Sequence, residues 1–355
     1  MKKIVTVVGA RPQFIKVAPV SRVLRQSFKE VLVHTGQHYD HKMAGVFFEQ
    51  LNIPKPDYNL GVGSANHGAQ TGEMIIKIEE VLLKEAPDAV LVYGDTNSTL
   101  AAAIAASKLH IPIFHIEAGL RSFNRIMPEE INRVLTDHVS SLLFAPTEVA
   151  VKNLATEGIS SGVHNVGDVM YDAVIYNAKI AQEIHKIEDF GINEEFILAT
   201  IHRAENTDDP DRLKAIFMSL NKLSKKVILP LHPRTEKKLK EQGLFDLVEH
   251  STTIKIIEPA PYLEMLFLES NASAIVTDSG GVQKEAYFAK VPCFTLRDQT
   301  EWVETVNVGW NTLVNPINDD LRELVDSYEE KPYVEGLYGD GKASEKIVEY
   351  IKNFL

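Results

Sequence analysis

Ten short, uninterrupted apolar runs punctuate this chain, with helix-period stretches between them, and no other feature limits its fold as tightly. Five lie in the first half: Ile4–Val8, Val31–His34, Ala89–Tyr93, Pro112–Ile116 and Leu142–Ala145. Five lie in the second: Ile197–Ile201, Val227–Leu231, Ile254–Ile257, Ala274–Thr277 and Cys293–Leu296. Runs of this length without a polar alternate position fit strands covered on both faces. Strand–helix alternation then demands right-handed crossovers and parallel sheets. The rhythm breaks once, between Gly167 and Gly191, where a helical stretch, Tyr171–Lys186, and a polar turn, Glu188–Asn193, intervene. Ten strands with a central gap predict two Rossmann-like, doubly wound α/β domains rather than one sheet, with the boundary near Gly167. A last helix, Ser344–Leu355, follows a Gly-Asp-Gly break.

Length and charge narrow the function. A chain of 355 residues matches two domains of ordinary size and buries a large core without cross-links. Lys+Arg minus Asp+Glu is 37 − 49 = −12, which disfavours a nucleic-acid partner. An anionic ligand must therefore be met locally, by a few aimed cations and backbone N–H groups. The single cysteine, Cys293, sits in an apolar run and reads as a buried structural thiol. The opening MKKIVTVVGARP reads as a first strand and not as a signal peptide, and no stretch of about 20 apolar residues offers a membrane span. A cytoplasmic protein is expected.

Ligands of open parallel sheets bind beyond the carboxyl ends of the strands. In the first half those ends deliver Gly9-Ala10-Arg11-Pro12-Gln13 with Lys16, then Gly36-Gln37-His38, Gly94-Asp95, and Glu117-Ala118-Gly119. In the second half they deliver His202-Arg203, His232-Pro233-Arg234, Asp278-Ser279-Gly280-Gly281 and Arg297 to Glu301. Ser279, Gly280 and Gly281 sit where a strand feeds a helix. Two glycines let a backbone approach closely, and a helix start offers N–H groups to a phosphate. The motif is not GxGxxG, so it does not indicate a dinucleotide. Glu285, a turn further on, suits ribose hydroxyls or a solvated helix face. Arg11 and Lys16 suit phosphates or surface ion pairs. His202 suits a phosphate donor or an acid, and His232 is open between ligand and structure. Asp95, Glu117 and Glu129 are the candidate acid–base carboxylates, although Glu129, with Glu130 after Pro128, equally suits a helix start. His38, Asp40 and His41 match no metal-ligand spacing, and no metal cluster is expected.

The segments GARPQFIK (9–16), TGQH (35–38), YGDTNSTLA (93–101), HIEAGLRS (115–122), MPEEINR (127–133), FAPTE (144–148), ATIHRAEN (199–206), LPLHPR (229–234), TDSGGVQKEA (277–286) and YGDG (338–341) resemble, in this order, the non-hydrolysing UDP-N-acetylglucosamine 2-epimerases. The resemblance implies a GT-B-like pair of domains facing across a cleft, residues 1–167 with 340–355 and residues 168–339. It implies reversible conversion of UDP-GlcNAc to UDP-ManNAc by elimination and re-addition of UDP through a 2-acetamidoglucal, without NAD or an essential metal, in a homodimer. By the same resemblance Asp95, Glu117, Glu129 and His202 are catalytic. Arg11, Lys16, Ser279, Gly280, Gly281 and Glu285 contact UDP, and His232 is grouped with them. Two departures stand out. Trp302 replaces an arginine of the family's TERPE segment, and Ala204 replaces a second arginine after the histidine. With RSFNR and TEWVE, these make the chain similar to the branch acting on UDP-2,3-diacetamido-glucuronic acid. A GT-B glycosyltransferase and a non-catalytic UDP-sugar sensor are the competing readings.

Overall fold

The computed structural model describes residues 1–36 and 53–355, apart from the side chains of Arg11 and Pro12. The chain divides into two compact units, Met1–Ala173 with Glu335–Leu355, and Val174–Val334. The division falls inside the helix Val169–Ile184, a few residues past the glycine that the sequence suggested.

The first unit holds seven parallel strands: β1 (Lys3–Val8), β2 (Lys29–His34), β3 (Tyr58–Asn59), β4 (Ala89–Tyr93), β5 (Ile113–Ile116), β6 (Leu142–Ala145) and β7 (Val163–Asn165). Their spatial order is β3-β2-β1-β4-β5-β6-β7. The second unit holds β8 (Phe196–Thr200), β9 (Lys226–Pro230), β10 (Ile254–Ile257), β11 (Ala274–Thr277), β12 (Cys293–Thr295) and β13 (Asn311–Leu313), in the order β10-β9-β8-β11-β12-β13. Each sheet reverses its winding once, between β1 and β4 and between β8 and β11, and those reversals open the crevices where such sheets take ligands.

The central strands are buried from end to end, as their unbroken apolar runs require. In the first unit Val5, Val7, Val90 and Val92 pack on Met74, Ile78 and the alanines of the helix Asn97–Lys108. In the second, Ile197, Ala199, Val227 and Val276 pack on Leu213 and Phe217. The strands missing from the sequence reading, β3, β7 and β13, are two or three residues long and sit at sheet edges, where half-exposed polar residues replace the apolar run.

The final helix, Ala343–Phe354, belongs to the first unit and packs against the helix Arg11–Leu24. Its first turn is fixed by Asp172, whose carboxylate accepts from the Ala343 and Ser344 N–H groups at 3.1 and 2.7 Å. Tyr350 stacks on His164 with ring centres 3.8 Å apart. Among the described residues no helix is long and apolar enough to cross a membrane.

Candidate active site

Both crevices carry the residues singled out from the sequence. In the first unit, β1 ends in Gly9 and the helix Arg11–Leu24 begins two residues later. The buried Gln13 ties this turn to its neighbour. Its carbonyl oxygen accepts from Gly9 and Ala10 N–H, and its amide donates to Tyr93 O at 2.8 Å and Thr99 Oγ1 at 3.0 Å. Arg11 opens the helix, but its side chain lies outside the described residues, as do Gln37 to Asn52 and with them His38, Asp40 and His41.

Lys16, one turn further along the helix, forms an ion pair with Glu117. Glu117 is buried and has φ of 72°, in the left-handed region that a side chain of its size rarely adopts. Its N–H and that of Ala118 both donate to Phe144 O, at 3.1 and 3.2 Å, which holds the turn in that conformation. Strain of this kind, about 1–3 kcal/mol, persists where the surroundings over-determine it, and it clusters at functional sites. Gly94, at the end of β4, lies directly beside the carboxylate. A Cβ at Gly94 would stand 3.2 Å from Glu117 Oε2, and its φ of 61° also requires glycine.

Asp95 follows Gly94 and pairs with Arg133 Nη2. The Asp95 carbonyl accepts from Asn132 at 2.9 Å. Arg133 also donates to Glu130 at 2.8 Å. Burial works against charge on Arg133, yet Asp95 and Glu130 outweigh it and hold the guanidinium above its ordinary range. The helix Pro128–Val139 thus serves two purposes. Glu130 is buried, accepts from Ser122 N, Ser122 Oγ and Phe123 N at 2.8–2.9 Å, and anchors the preceding loop. Those donors and Arg133 overcome its burial and keep its carboxyl below the usual range. Glu129, beside it in the same first turn, is exposed.

In the second unit a single buried carboxylate, Asp278 at the end of β11, organises the crevice. It accepts from His202 N at 3.0 and 3.1 Å, Arg203 N at 3.0 Å and Asn206 Nδ2 at 3.1 Å. The His202 ring stays partly exposed, with Nδ1 3.5 Å from Asp278 Oδ1. Its ring centre is 5.5 Å from that of His232, whose Nδ1 accepts from Arg234 N and caps the helix Pro233–Glu241.

Ser279 stands at the N-cap of the helix Gly280–Phe288 without a side-chain cap bond. The two glycines leave the helix start open to close approach. A Cβ at Gly280 would fall 2.7 Å from Glu301 Oε1 and 3.5 Å from Arg203 Nη2. Arg297 donates to the other Glu301 oxygen at 3.1 Å. Glu285, on the same helix, is buried. Burial pushes its carboxyl up to about 7, against the pull of the Lys284 charge and the Tyr262 hydroxyl. Glu269 is pushed up as well, by burial and by the nearby Glu285. Lys284 lies 3.9 Å over the Trp302 ring.

The structure therefore gathers Lys16, Asp95 and Glu117 in one unit and His202, His232, Ser279, Gly280 and Glu285 in the other. The sequence reading placed Gln13, Asp278 and Glu301 at strand ends without a role and missed Arg133. Their distant partners, Thr99 for Gln13, Asp95 for Arg133 and His202 for Asp278, are 38 to 86 residues away in sequence, so no spacing announces them. Among the described residues Asp246, Glu249 and His250 bring ligand atoms within 4.8 Å of one another on an exposed surface of the second unit.

Comparison with known proteins gives a consistent answer. A family model described as UDP-N-acetylglucosamine 2-epimerase matches residues 22–352. The chain is 55% identical to a UDP-N-acetylglucosamine 2-epimerase homolog of Methanococcus maripaludis, covering 99% of both chains. It is 51% identical to the UDP-2,3-diacetamido-2,3-dideoxy-D-glucuronate 2-epimerase of Pseudomonas aeruginosa, covering 98% of this chain and 99% of the other. The crystal structure of the Methanocaldococcus jannaschii UDP-GlcNAc 2-epimerase in complex with UDP-GlcNAc and UDP superimposes with a TM-score of 0.89 at 49% identity, covering 99% of this chain and all of that one.

Proposed function

Because this chain belongs to the UDP-N-acetylglucosamine 2-epimerase family, we propose that it inverts C2 of UDP-GlcNAc reversibly to give UDP-ManNAc. In this reading Asp95 and Glu117 handle the C2 proton. One takes it as UDP leaves C1, the other returns a proton to the opposite face of the bound 2-acetamidoglucal, and UDP then adds back. The observation that carries the reading is the pairing of both carboxylates with cations, Glu117 with Lys16 and Asp95 with Arg133, at the ends of the adjacent strands β4 and β5. Each ion pair fixes the position of its carboxylate at the strand end. Glu129, exposed on its helix, joins them as the third carboxylate of the scheme.

The second unit supplies the groups for UDP. The N–H groups at the start of Gly280–Phe288 suit the diphosphate, as does Arg203 beside them. Glu285 accepts from the ribose hydroxyls, and His202 with His232 stabilises the charge that grows on departing UDP. Arg11 and Lys16 complete the cation set in this reading.

Incubation with UDP-GlcNAc in heavy water, followed by NMR, tests the proposal. UDP-ManNAc forms and deuterium enters C2; a sample yielding neither would end it, and would favour a glycosyltransferase or a sensor. The identity to the Pseudomonas aeruginosa protein supports a second reading, epimerisation of UDP-2,3-diacetamido-2,3-dideoxy-glucuronate, so that sugar belongs in the same assay. We further read the enzyme as a cytoplasmic homodimer. The exposed apolar side chains Phe123, Ile126, Ile131 and Leu135 support an association surface on the first unit, and light scattering in solution checks it.

A further inference from the structure

Behind the carboxylate-bearing turns of the first unit lies a chain of buried charges that touches neither Asp95 nor Glu117. His115, on β5, is fully buried. Its Nε2 meets Gly94 O at 2.8 Å and its Nδ1 meets Asp137 Oδ1 at 2.6 Å. The carbonyl and the carboxylate are both acceptors, so each ring nitrogen is turned toward an acceptor oxygen. The second Asp137 oxygen accepts from Gly119 N at 3.1 Å and lies 2.8 Å from Arg121 Nη1. Arg121 continues to Glu157 in a two-bond fork at 2.7 and 2.8 Å. Histidine, carboxylate, guanidinium and carboxylate thus alternate from the interior out to the partly exposed Glu157, and Asp137, despite its burial, is held below its ordinary range by His115 and Arg121.

The two ends of the His115–Asp137 pair grip the backbone at two places. Gly94 O belongs to the left-handed residue immediately before Asp95. Gly119 N belongs to the residue two after Glu117, in the same strained turn. One rigid pair of side chains therefore sets the spacing of the two turns that carry the proposed acid–base carboxylates. We propose that His115 and Asp137 are positioning residues that fix the relative placement of Asp95 and Glu117 through the Gly94 carbonyl and the Gly119 N–H. This rests on the reading that Asp95 and Glu117 exchange the C2 proton. The epimerase geometry is sensitive to such placement, since the two carboxylates must reach opposite faces of one carbon.

The hydrogen-bond logic makes an unusual prediction about substitutions. In Asp137→Asn, the amide can place its NH2 toward His115 Nδ1 and its oxygen toward Gly119 N and Arg121. His115 then accepts at Nδ1 and still donates from Nε2 to Gly94 O. Every grip survives although the Asp137 carboxylate is gone. In His115→Phe the Gly94 grip is lost, and in Asp137→Ala the Gly119 grip is lost.

The test uses the full-length enzyme with UDP-GlcNAc, or with the diacetamido sugar if that is its substrate, in heavy water. His115→Phe and Asp137→Ala lower kcat about 100-fold, the cost of roughly an ångström of misplacement, with KM little changed. Asp137→Asn stays within about fivefold of the unsubstituted enzyme, since it keeps the bonds that neutral pairing allows. The second readout is the ratio of C2 deuterium in recovered substrate to deuterium in the epimer. Moving one carboxylate relative to the other changes this ratio, whereas a smaller folded fraction lowers both signals together. Full kcat in His115→Phe, or a reduced kcat with an unchanged ratio, overturns the proposal. If His115→Phe and Asp137→Ala fail to fold, Asp137→Asn decides alone, because a large loss or a shifted ratio there contradicts the bond scheme. An unsubstituted enzyme that turns over neither sugar refutes the epimerase reading itself, a result separate from any of these.

Discussion

Beyond β4 and β5 of the first unit the polar residues come as charged side-chain pairs, Lys16 with Glu117 and Arg133 with Asp95. Beyond β8 and β11 of the second unit one buried carboxylate, Asp278, collects backbone N–H groups from His202 and Arg203, and a glycine pair leaves a helix start open. The sheets are wound the same way, so the difference lies in what each strand end presents. A task that moves a proton needs carboxylates held in fixed positions. A task that holds a diphosphate needs N–H groups and room for the ligand's oxygens. The comparison assigns chemistry to one crevice and binding to the other, and substitutions in each should therefore move different kinetic constants.

The largest effect belongs to the first crevice. Asp95→Asn and Glu117→Gln each lower kcat about 1,000-fold, within the range for loss of a general acid or base. UDP affinity, measured by calorimetry, falls far less than kcat, because most of its proposed ligands, Arg11 and Lys16 excepted, lie in the other unit. An equal loss of UDP affinity would erase the division of labour. Arg133→Lys comes next. A lysine presents a point charge and cannot hold Asp95 and Glu130 in one planar fork, so kcat falls about tenfold.

In the second crevice the constants reverse. Gly280→Ala puts a methyl group where Glu301 and the incoming phosphate both need space. UDP binds about tenfold more weakly, the loss of roughly one charge-assisted hydrogen bond, and kcat at saturation is nearly unchanged.

The same crevice carries a pH dependence of two opposite signs. Glu285 holds its proton more tightly in the folded chain, about 7 against an ordinary 4.5, because burial outweighs Lys284 and Tyr262. The folded state therefore gains stability from that proton below pH 4.5 and loses it as pH rises toward 7, and the buried Glu269 acts in the same direction. Ribose hydroxyls need the ionised carboxylate, so UDP affinity rises with pH through 7 and levels off above it. Thermal unfolding without ligand and calorimetry with UDP, both from pH 5.5 to 8.5, should run in opposite directions. Glu285→Gln flattens its share of both.

How far these features were legible in the sequence follows from the range of the interactions. The apolar runs of β1, β4, β8 and β11 announced two parallel sheets because burial on both faces writes itself into consecutive residues. Asp95, Glu117, His202 and the Ser279–Gly281 turn were visible because each directly follows such a run. The pairings were not. Arg133 is 38 residues from Asp95, Asp278 is 76 from His202, and nothing local distinguishes Asp137 from other helix carboxylates. Glu129 and Glu130 are adjacent and chemically alike, yet one is exposed and the other buried against Ser122 and Phe123. Only the orientation of the helix Pro128–Val139 separates them. The edge strands β3, β7 and β13 were invisible for the converse reason: they are two or three residues long, mostly half-buried, and carry no continuous apolar run.

The smallest effect probes how the second crevice keeps Glu285 usable. The Lys284 charge is the main influence opposing the burial of Glu285, and Lys284 is itself held 3.9 Å over Trp302. A buried cation over an indole gains about 2 kcal/mol. Trp302→Leu removes that gain and leaves the rest of the apolar contact. Its first consequence is stability, a loss of about 2 kcal/mol by denaturant titration. Its second is electrostatic. If the ring is what keeps the ammonium close to Glu285, the carboxyl rises further once the ring is gone, and the pH at which UDP affinity levels off moves upward. If that pH stays put while stability falls, Lys284 reaches Glu285 without help from Trp302, and the indole contributes to packing alone.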